Sequence, residues 1–395
     1  MPRRVFLFYF MQIIFDDNNL HHALAPLTLT KPVSQLRFGI QTVEESWLAL
    51  FEKQFNEITK TYNTEAYLNV KYPQGSATND TITISGNIKP TKSLFQQVIT
   101  LKEGEALYSN GERIALKGKQ ELKKIVLSKT ITFPHFNKVW ELFQHNDTAL
   151  KVDFEIITEH RQSNKLNDTN KVSAPNEIFV EEGAQVNHAI LNASTGPIYI
   201  GKDAEIMEGS IIRGPFAIGE HATVKMGAKI YGATTVGPHC KVGGEISNSI
   251  FQAYSNKGHD GFMGNSVIGE WCNFGADTNT SNLKNNYSNV KIYDFGKKQM
   301  VLSPILFCGT IMGDHSKTGI NTMLNTATVV GVSANIFGGG FPPKYIPSFA
   351  WGGVENTDKF IIEKAFEVAK NMMARRKIEL SDADQSILTH LYNLA

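Results

Sequence analysis

His259 is the side chain whose setting most suggests chemistry in this chain of 395 residues. It lies between Gly258 and Gly261, in a stretch without a regular helical or strand pattern. Imidazole can take up a proton near neutral pH, which few other side chains do. A nucleophile that must lose a proton as it attacks needs one positioned base. His259 could be that base, although a single histidine can equally be structural or solvated.

A repeat of six residues precedes this histidine and indicates what positions it. An aliphatic residue occupies every sixth position between Ile200 and Val242, and small residues mostly stand two positions earlier. A period of six fits neither a helix nor a half-buried strand and is typical of a repeat coil, whose units bury their apolar slots by stacking. The predicted inward slots are Ile200, Ile206, Ile212, Ile218, Val224, Ile230, Val236 and Val242.

The repeat loses its register directly after Val242. It resumes at Ile268, which lies 26 positions after Val242. Because 26 is not a multiple of six, this spacing predicts an excursion with two inserted residues. A second excursion, at 277–304, is rich in asparagine and lysine, and the repeat then continues over 306–336. Loops that leave a rigid scaffold often carry function. The first excursion, which contains His259, is therefore the predicted site.

This pattern resembles the hexapeptide repeat of left-handed β-helix acyltransferases. The segment SNKGHDGFMGNSVIG, from Ser255 to Gly269, is similar to the segment that holds the catalytic histidine in the bacterial bifunctional N-acetylglucosamine-1-phosphate uridyltransferase/glucosamine-1-phosphate acetyltransferase family. The resemblance implies a left-handed parallel β-helix, acetyl-CoA as co-substrate, a homotrimer, and His259 as general base. The second excursion is then either a solvated loop or a loop that reaches a neighbouring subunit.

The same resemblance implies roles for further residues. Glu245 would be the second catalytic residue, a carboxylate that orients His259 or the amino group of the sugar. The substrate-binding candidates are Lys229, Phe262, Asn273 and Asn282, and the cofactor-binding candidates are Ala276, Thr310, Thr326 and Lys344.

The phosphate site matches the family only in part. The family's tyrosine three residues after the histidine is Phe262 here, which lacks the hydroxyl group. Lys229 stands where the family has an arginine, and it keeps the charge but not the bidentate geometry. A family lysine that binds the sugar phosphate is Ser247 here. The base and the scaffold match, so the resemblance favours an amino sugar without fixing which one.

The amino-terminal part resembles the opening of sugar-1-phosphate nucleotidyltransferases, which have an α/β, Rossmann-like fold. A predicted strand at 12–15 is followed by the segment LAPLTLTKP at 24–32 and a predicted helix at 42–52. The family's glycine-rich loop binds phosphates through its backbone amides. Here the loop reads DDNNLHHALA and contains no glycine.

Few basic residues are left there to contact a nucleotide. Lys31 and Arg37 are the candidates, and the alternative is that both are surface residues of a retained fold. The adjacent His21 and His22 are expected at the surface. Mg²⁺ would be needed only if this part is active.

Composition excludes several classes of protein. A formal net charge of +1 gives no case for binding nucleic acid or a membrane surface. No stretch reaches the roughly 18 apolar residues of a membrane span. Residues 1–10 are interpreted as a short extension, and a cytoplasmic location is expected. The cysteines Cys240, Cys272 and Cys308 lack CxxC spacing, so packing is predicted for them and no metal site.

These observations combine into one prediction of domains and function. We expect a reduced nucleotidyltransferase-like domain at 11–158, a linker at 159–176, a β-helix acyltransferase domain at 177–352, and short carboxy-terminal helices at 353–395. The predicted function is acetyl-CoA-dependent N-acetylation of a phosphate- or nucleotide-linked amino sugar, in UDP-N-acetylglucosamine biosynthesis. The alternatives are a bifunctional enzyme that also couples a sugar 1-phosphate to UTP, and a non-catalytic scaffold that binds nucleotide sugars.

Overall fold

The computed structural model describes residues 10–354 and 357–395. The extension predicted at 1–10 therefore lies outside the described residues, except for Phe10. The chain divides into two compact units: the first contains the described residues up to His21 with Lys31–Leu36 and Gln41–His135, and the second contains His22–Thr30, Arg37–Ile40 and Phe136–Ala395. This division does not follow the chain order, and the domain boundaries at 158, 176 and 352 stay predictions.

The first unit is a mixed sheet with two helices. Its strands lie in the order β2-β1-β3-β5-β4-β6, with β1 parallel to β2 and β3, and β5 antiparallel to β3 and β4. The elements are β1 (Phe10–Asp16), α1 (Val43–Phe51), β2 (Glu57–Asn63), β3 (Ile82–Ser85), α2 (Lys92–Ile99), β4 (Glu105–Ser109), β5 (Glu112–Lys117) and β6 (Lys123–Val126).

Local sequence explains how this unit is held together. A capping box of Thr42 and Glu45 begins α1, because each side chain binds the other's backbone amide. Trp47 is fully buried on that helix and donates its indole hydrogen to the carbonyl of Ile88 at 2.8 Å. The α/β fold predicted for the amino-terminal part is confirmed.

The second unit contains α3 (Val139–Thr158), which is followed by a parallel β-helix with three faces. Face A consists of β7 (Lys171–Ser173), β10 (Ile190–Asn192), β13 (Ile211–Arg213), β16 (Lys229–Tyr231), β19 (Glu245–Ser247), β22 (Phe262–Gly264), β24 (Asn279–Thr280) and β29 (Met323–Leu324). Face B consists of β8 (Ile178–Val180), β11 (Ile198–Ile200), β14 (Phe216–Ile218), β17 (Thr234–Val236), β20 (Ile250–Phe251), β23 (Val267–Ile268), β27 (Ile311–Met312), β30 (Val329–Val330) and β32 (Tyr345–Ile346).

Face C completes each coil. Its strands are β9 (Gln185–Val186), β12 (Glu205–Ile206), β15 (Thr223–Val224), β18 (Lys241–Val242), β21 (Asn256–Lys257), β28 (Lys317–Thr318), β31 (Asn335–Ile336) and β33 (Ala350–Gly352). Asn273 bridges β21 to β28, so the face is continuous. The chain runs from face A to face B to face C in each coil. The predicted left-handed β-helix is confirmed.

The eight predicted inward slots all lie in the core of the β-helix. Each of these aliphatic side chains is at most 1% exposed. They form one apolar column with the small residues at the corners, such as Ala204 and Ala222. Stacked coils bury every slot between two neighbours, which is why the period alone predicts burial here.

The predicted first excursion is wrong, because the chain stays in the coil between Val242 and Ile268. The strands β19 to β23 continue the three faces without interruption. Their buried positions are Ile246, Phe251, Lys257, Met263 and Ile268. The chain thus completes five sides in the 26 residues from 242 to 268. Several sides are shorter than a hexapeptide, so residues are missing there rather than inserted.

The second excursion does leave the coil. It contains an antiparallel hairpin of β25 (Lys291–Asp294) and β26 (Gln299–Leu302). After β33, the strand β34 (Thr357–Lys359) pairs antiparallel with it, and α4 (Ile362–Ala374) and α5 (Asp382–Leu394) follow. The ring of Tyr392 on α5 contacts buried Phe349 with centroids 5.1 Å apart, so the predicted helices cover the final coils. Among the described residues, no helix is long and apolar enough to cross a membrane.

Candidate active site

His259 lies at the corner between face C and face A, directly after β21. Its side chain is exposed and lines two clefts, of about 380 Å³ and about 320 Å³. The two clefts also share Lys225, Gly258 and Ala276. The larger one reaches over face C to Lys241, Asn256 and Asn273. The histidine therefore stands where molecules in both clefts can reach it.

A buried lysine fixes this corner. Lys257 is 1% exposed, and its Nζ donates to the main-chain oxygens of His259 at 2.8 Å, Asp260 at 3.1 Å and Gly243 at 3.2 Å. Burial lowers the pKa of Lys257 to about 8, although Asp260 and Asp277 oppose that shift. This role was not predicted from the sequence, because the repeat places an aliphatic side chain at this slot.

The outward side of face A carries Lys229, Glu245 and Phe262 on neighbouring strands. Lys229 is paired in register with Glu245, and Glu245 with Phe262. The hydroxyl of Tyr231 donates to Oε1 of Glu245 at 2.6 Å, which holds the carboxylate on this face. Within the described residues Glu245 makes no hydrogen bond to His259. Its position suits a group that binds an acceptor beside the corner.

The cofactor and substrate candidates divide into two groups. Asn273 and Ala276 line the cleft beside His259. Thr310 and Thr326 are fully buried, and Asn282 donates to Asn265 at 2.8 Å. These three residues, with Lys344, come after face A or before face B, at another corner of the coil. They do not line either cleft of His259.

The two basic candidates for nucleotide contact are buried. Lys31 lies in the first unit and Arg37 in the second. The Nε of Arg37 donates to the main-chain oxygen of Gln252 at 2.9 Å, a structural contact within the second unit. Both side chains are too buried to be the surface residues of the alternative interpretation. Neither is open to a phosphate.

The loop after β1 uses its own carboxylates where the family has glycines. Asp16 accepts from the amide of Asn18 at 2.9 Å and from Arg113 at 2.9 Å. Asp17 accepts from the amide of Val33 at 2.8 Å and from the hydroxyl of Thr64 at 2.5 Å. Asp16 thus occupies one backbone donor of the loop itself, and Asp17 ties the loop to Val33 and Thr64.

Asp16 and Asp17 also fail to fit a Mg²⁺ ion. Asn63 donates to the same Oδ1 of Asp16 as Asn18, and His21 lies 3.3 Å from Oδ2 of Asp17. All four carboxylate oxygens are thus engaged by protein groups. His21 is buried, with Nε2 at 3.1 Å from the hydroxyl of Tyr67, and the surface position expected for it is wrong. His22 is exposed as expected.

The cysteines pack in the interior of the β-helix. Cys240, Cys272 and Cys308 are fully buried, and burial raises the pKa of each thiol to about 12. Such thiols are poor nucleophiles and poor ligands. Within the described residues, no group of three or more His, Cys, Asp or Glu side chains could hold a metal ion.

Comparison with known proteins identifies the family of the amino-terminal part and several bifunctional relatives. Residues 12–162 match the family described as sugar nucleotidyl transferase. The bifunctional sugar-1-phosphate nucleotidylyltransferase/acetyltransferase of Sulfurisphaera tokodaii is 34% identical over 174 residues, which are 44% of this chain and 42% of the relative. The bifunctional protein GlmU of Methanocaldococcus jannaschii is 36% identical over 87 residues, 22% of this chain and 21% of the relative. The predicted resemblance to this bifunctional family is confirmed.

The extent of these matches limits what they carry. The chain spans less than half the length of the bifunctional relatives it matches. Among solved structures, the polySia-specific acetyltransferase NeuO is similar with 14% identity and a TM-score of 0.28, over 51% of this chain and 90% of that one.

Proposed function

We propose that the chain is an acetyl-CoA-dependent N-acetyltransferase that acts on a phosphate- or nucleotide-linked amino sugar. The observation that carries the proposal is the exposed imidazole of His259, which lines two adjoining clefts on a corner fixed by Lys257. One cleft would hold the thioester and the other the amine. Lys225 borders both clefts and can attract a phosphate from either side.

The proposed reaction uses His259 as a proton carrier. The amine nitrogen attacks the carbonyl carbon of the thioester, so a C–N bond forms and the C–S bond breaks. His259 accepts the proton that the amine loses and returns it to the leaving thiolate of coenzyme A. Backbone amides of the coil are available to stabilise the oxyanion. Glu245 on face A is the candidate that orients the amine.

The test is turnover of His259→Ala, followed as coenzyme A release with 5,5′-dithiobis-nitrobenzoate across a panel of amino sugars. We expect a loss of about 10²–10⁴-fold, as for removal of a general base. His188→Ala is the matched control, since His188 is an exposed histidine at the same corner of an earlier coil and lines neither cleft. Full activity of the His259 variant would overturn the proposal.

A second candidate is a bifunctional enzyme with an active nucleotidyltransferase part. The relatives named as bifunctional proteins favour it. The engaged carboxylates and backbone donors after β1 argue against it, because no open phosphate cradle is left there. We expect no pyrophosphate release by the full chain from UTP and a sugar 1-phosphate. Release at an enzymatic rate would establish the bifunctional alternative.

A non-catalytic scaffold is the third candidate function. Separately, we propose that the chain assembles as a homotrimer. The scaffold is favoured only if the chain binds a nucleotide sugar and shows no turnover with any acceptor of the panel. Light scattering on the purified chain measures the assembly. A mass of three chains supports the trimer, and a monomer contradicts it.

A further inference from the structure

A third cleft, of about 510 Å³, lies beside the larger cleft of His259 and shares three residues with it. We propose that this basic cleft binds the phosphorylated nucleotide end of a substrate whose other end reaches His259. The shared residues are Lys241, Asn256 and Asn273, and the remaining walls are Tyr254, Trp271, Lys317, Asn371, Met372, Arg375 and Arg376.

The charge of the basic cleft points to an anion. Four cations line it, namely Lys241, Lys317, Arg375 and Arg376, and no carboxylate is among its described lining residues. Burial lowers the pKa of Lys241, and the positive charges of Arg376, Lys225 and Arg375 lower it further. This clustering contrasts with a net charge of +1 for the whole chain. A bound phosphate would compensate the repulsion between these groups.

Two aromatic side chains, Tyr254 and Trp271, also line the basic cleft, which indicates more than inorganic phosphate. Five rings stack on successive coils at the corner between face B and face C, at His221, His239, Tyr254, Trp271 and His315. The ring planes of Tyr254 and Trp271 are nearly parallel, at 5° to each other, with centroids 4.1 Å apart. Arg376 donates to the main-chain oxygen of His239 at 3.1 Å and so ties the end of α4 to this column. Such a rigid apolar wall beside cations suits a nucleotide.

The two clefts are joined across face C. Lys241, Asn256 and Asn273 stand on consecutive coils between the aromatic column and His259. An extended molecule could therefore place its phosphates in the basic cleft and its reacting end at the histidine. Only this reach to His259 rests on the proposed function.

Two substrates carry the required chemistry, the phosphoadenosine end of coenzyme A and the nucleoside diphosphate of a nucleotide-linked sugar. Isothermal titration calorimetry of the full chain with coenzyme A and, separately, with uridine diphosphate distinguishes them. We expect one of the two probes to bind, with an affinity that falls as salt is added. The probe whose affinity falls in the Arg375→Gln and Lys241→Gln variants shows which of the two substrates binds in the basic cleft.

Arg375→Gln and Lys241→Gln remove one charge each from the basic cleft. We expect the Kd of that probe to rise roughly tenfold in each variant, as for one lost charge-assisted hydrogen bond. Lys370→Gln is the matched control, because it removes an exposed charge from the same helix outside the cleft. The thermal midpoint of each variant is measured as a check that it is folded.

The outcomes separate this proposal from the proposed function. If neither probe binds, or if the Kd is unchanged in both folded cleft variants, the proposal that the basic cleft binds a nucleotide is overturned. His259→Ala should bind the probe as tightly as the wild type, because its side chain does not line this cleft. Loss of binding in Arg375→Gln together with full turnover in His259→Ala would support the cleft and reject the acetyltransferase.

Discussion

The Nζ of Lys257 lies 2.8 Å from the main-chain oxygen of His259, two residues along the chain. The lysine fills an inward slot of the coil, where the earlier slots of its column hold aliphatic side chains such as Val224 and Val242. A buried ammonium group must be hydrogen-bonded, and the carbonyls of the corner supply its partners. The residue that breaks the apolar repeat is thus the one that fixes the candidate base.

Lys257→Met keeps the length of the side chain and removes its three donor bonds. We expect kcat of the acetyl transfer to fall about 10- to 100-fold, because a base displaced by about 1 Å loses its alignment. The KM for acetyl-CoA should change much less, since no cleft of His259 is lined by Lys257. Steady-state kinetics of coenzyme A release measure both. Lys202→Met, at an exposed corner position, is the control, and an unchanged kcat in Lys257→Met would contradict the positioning role.

Stability should depend on pH through the same lysine. Its pKa of about 8 in the folded chain lies below its ordinary value of 10.5. The unfolded chain therefore binds more protons between these two values, and the free energy of unfolding rises with pH in that window. Between about pH 8 and about pH 10.5 the wild type should gain up to about 3 kcal/mol relative to Lys257→Met. Denaturant unfolding of both proteins measures this difference, and a constant difference across the window would contradict it.

The three cysteine thiols should be unreactive in the native protein. Cys240, Cys272 and Cys308 are fully buried and their thiol pKa values are raised to about 12, so almost no thiolate is present near neutral pH. We expect no reaction with 5,5′-dithiobis-nitrobenzoate in the native state and three reactive thiols after denaturation in guanidinium chloride. Rapid reaction of the native chain would show that a cysteine is accessible, and it would also interfere with the coenzyme A assay.

The period of six was enough to predict the core slots of the β-helix, because stacking leaves a repeated aliphatic residue nowhere else to lie. It was not enough to predict the site in full. A lysine at an inward slot looks like a break in the pattern, so the shortened sides between Val242 and Ile268 were interpreted as an insertion. Thr310 and Thr326 were assigned to a cofactor path by the resemblance alone. In the structure both are buried and line neither cleft of His259, so their role stays a prediction.

In the first unit, sequence similarity gave the fold, whereas the state of the loop after β1 depends on side-chain contacts. The missing glycines indicated that the loop differs from the phosphate-binding loop of the family. Their absence alone does not show which hydrogen bonds hold the loop. The partners of Asp17 are distant in sequence, at Val33 and Thr64, and only the folded structure brings them together. The loop is held by hydrogen bonds within the first unit.

Asp17→Asn tests this internal arrangement. The substitution keeps the shape of the side chain but removes the negative charge and replaces one acceptor oxygen with a donor. Asp17 accepts from the amide of Val33 and the hydroxyl of Thr64, and its neighbour His21 is buried with it. We expect the free energy of unfolding to fall by about 2–3 kcal/mol, the cost of leaving buried donors poorly paired. Thermal and denaturant unfolding measure the loss, with exposed Asp80→Asn as the control in the same unit. If Asp17→Asn were as stable as that control, the carboxylate would not be what holds the loop.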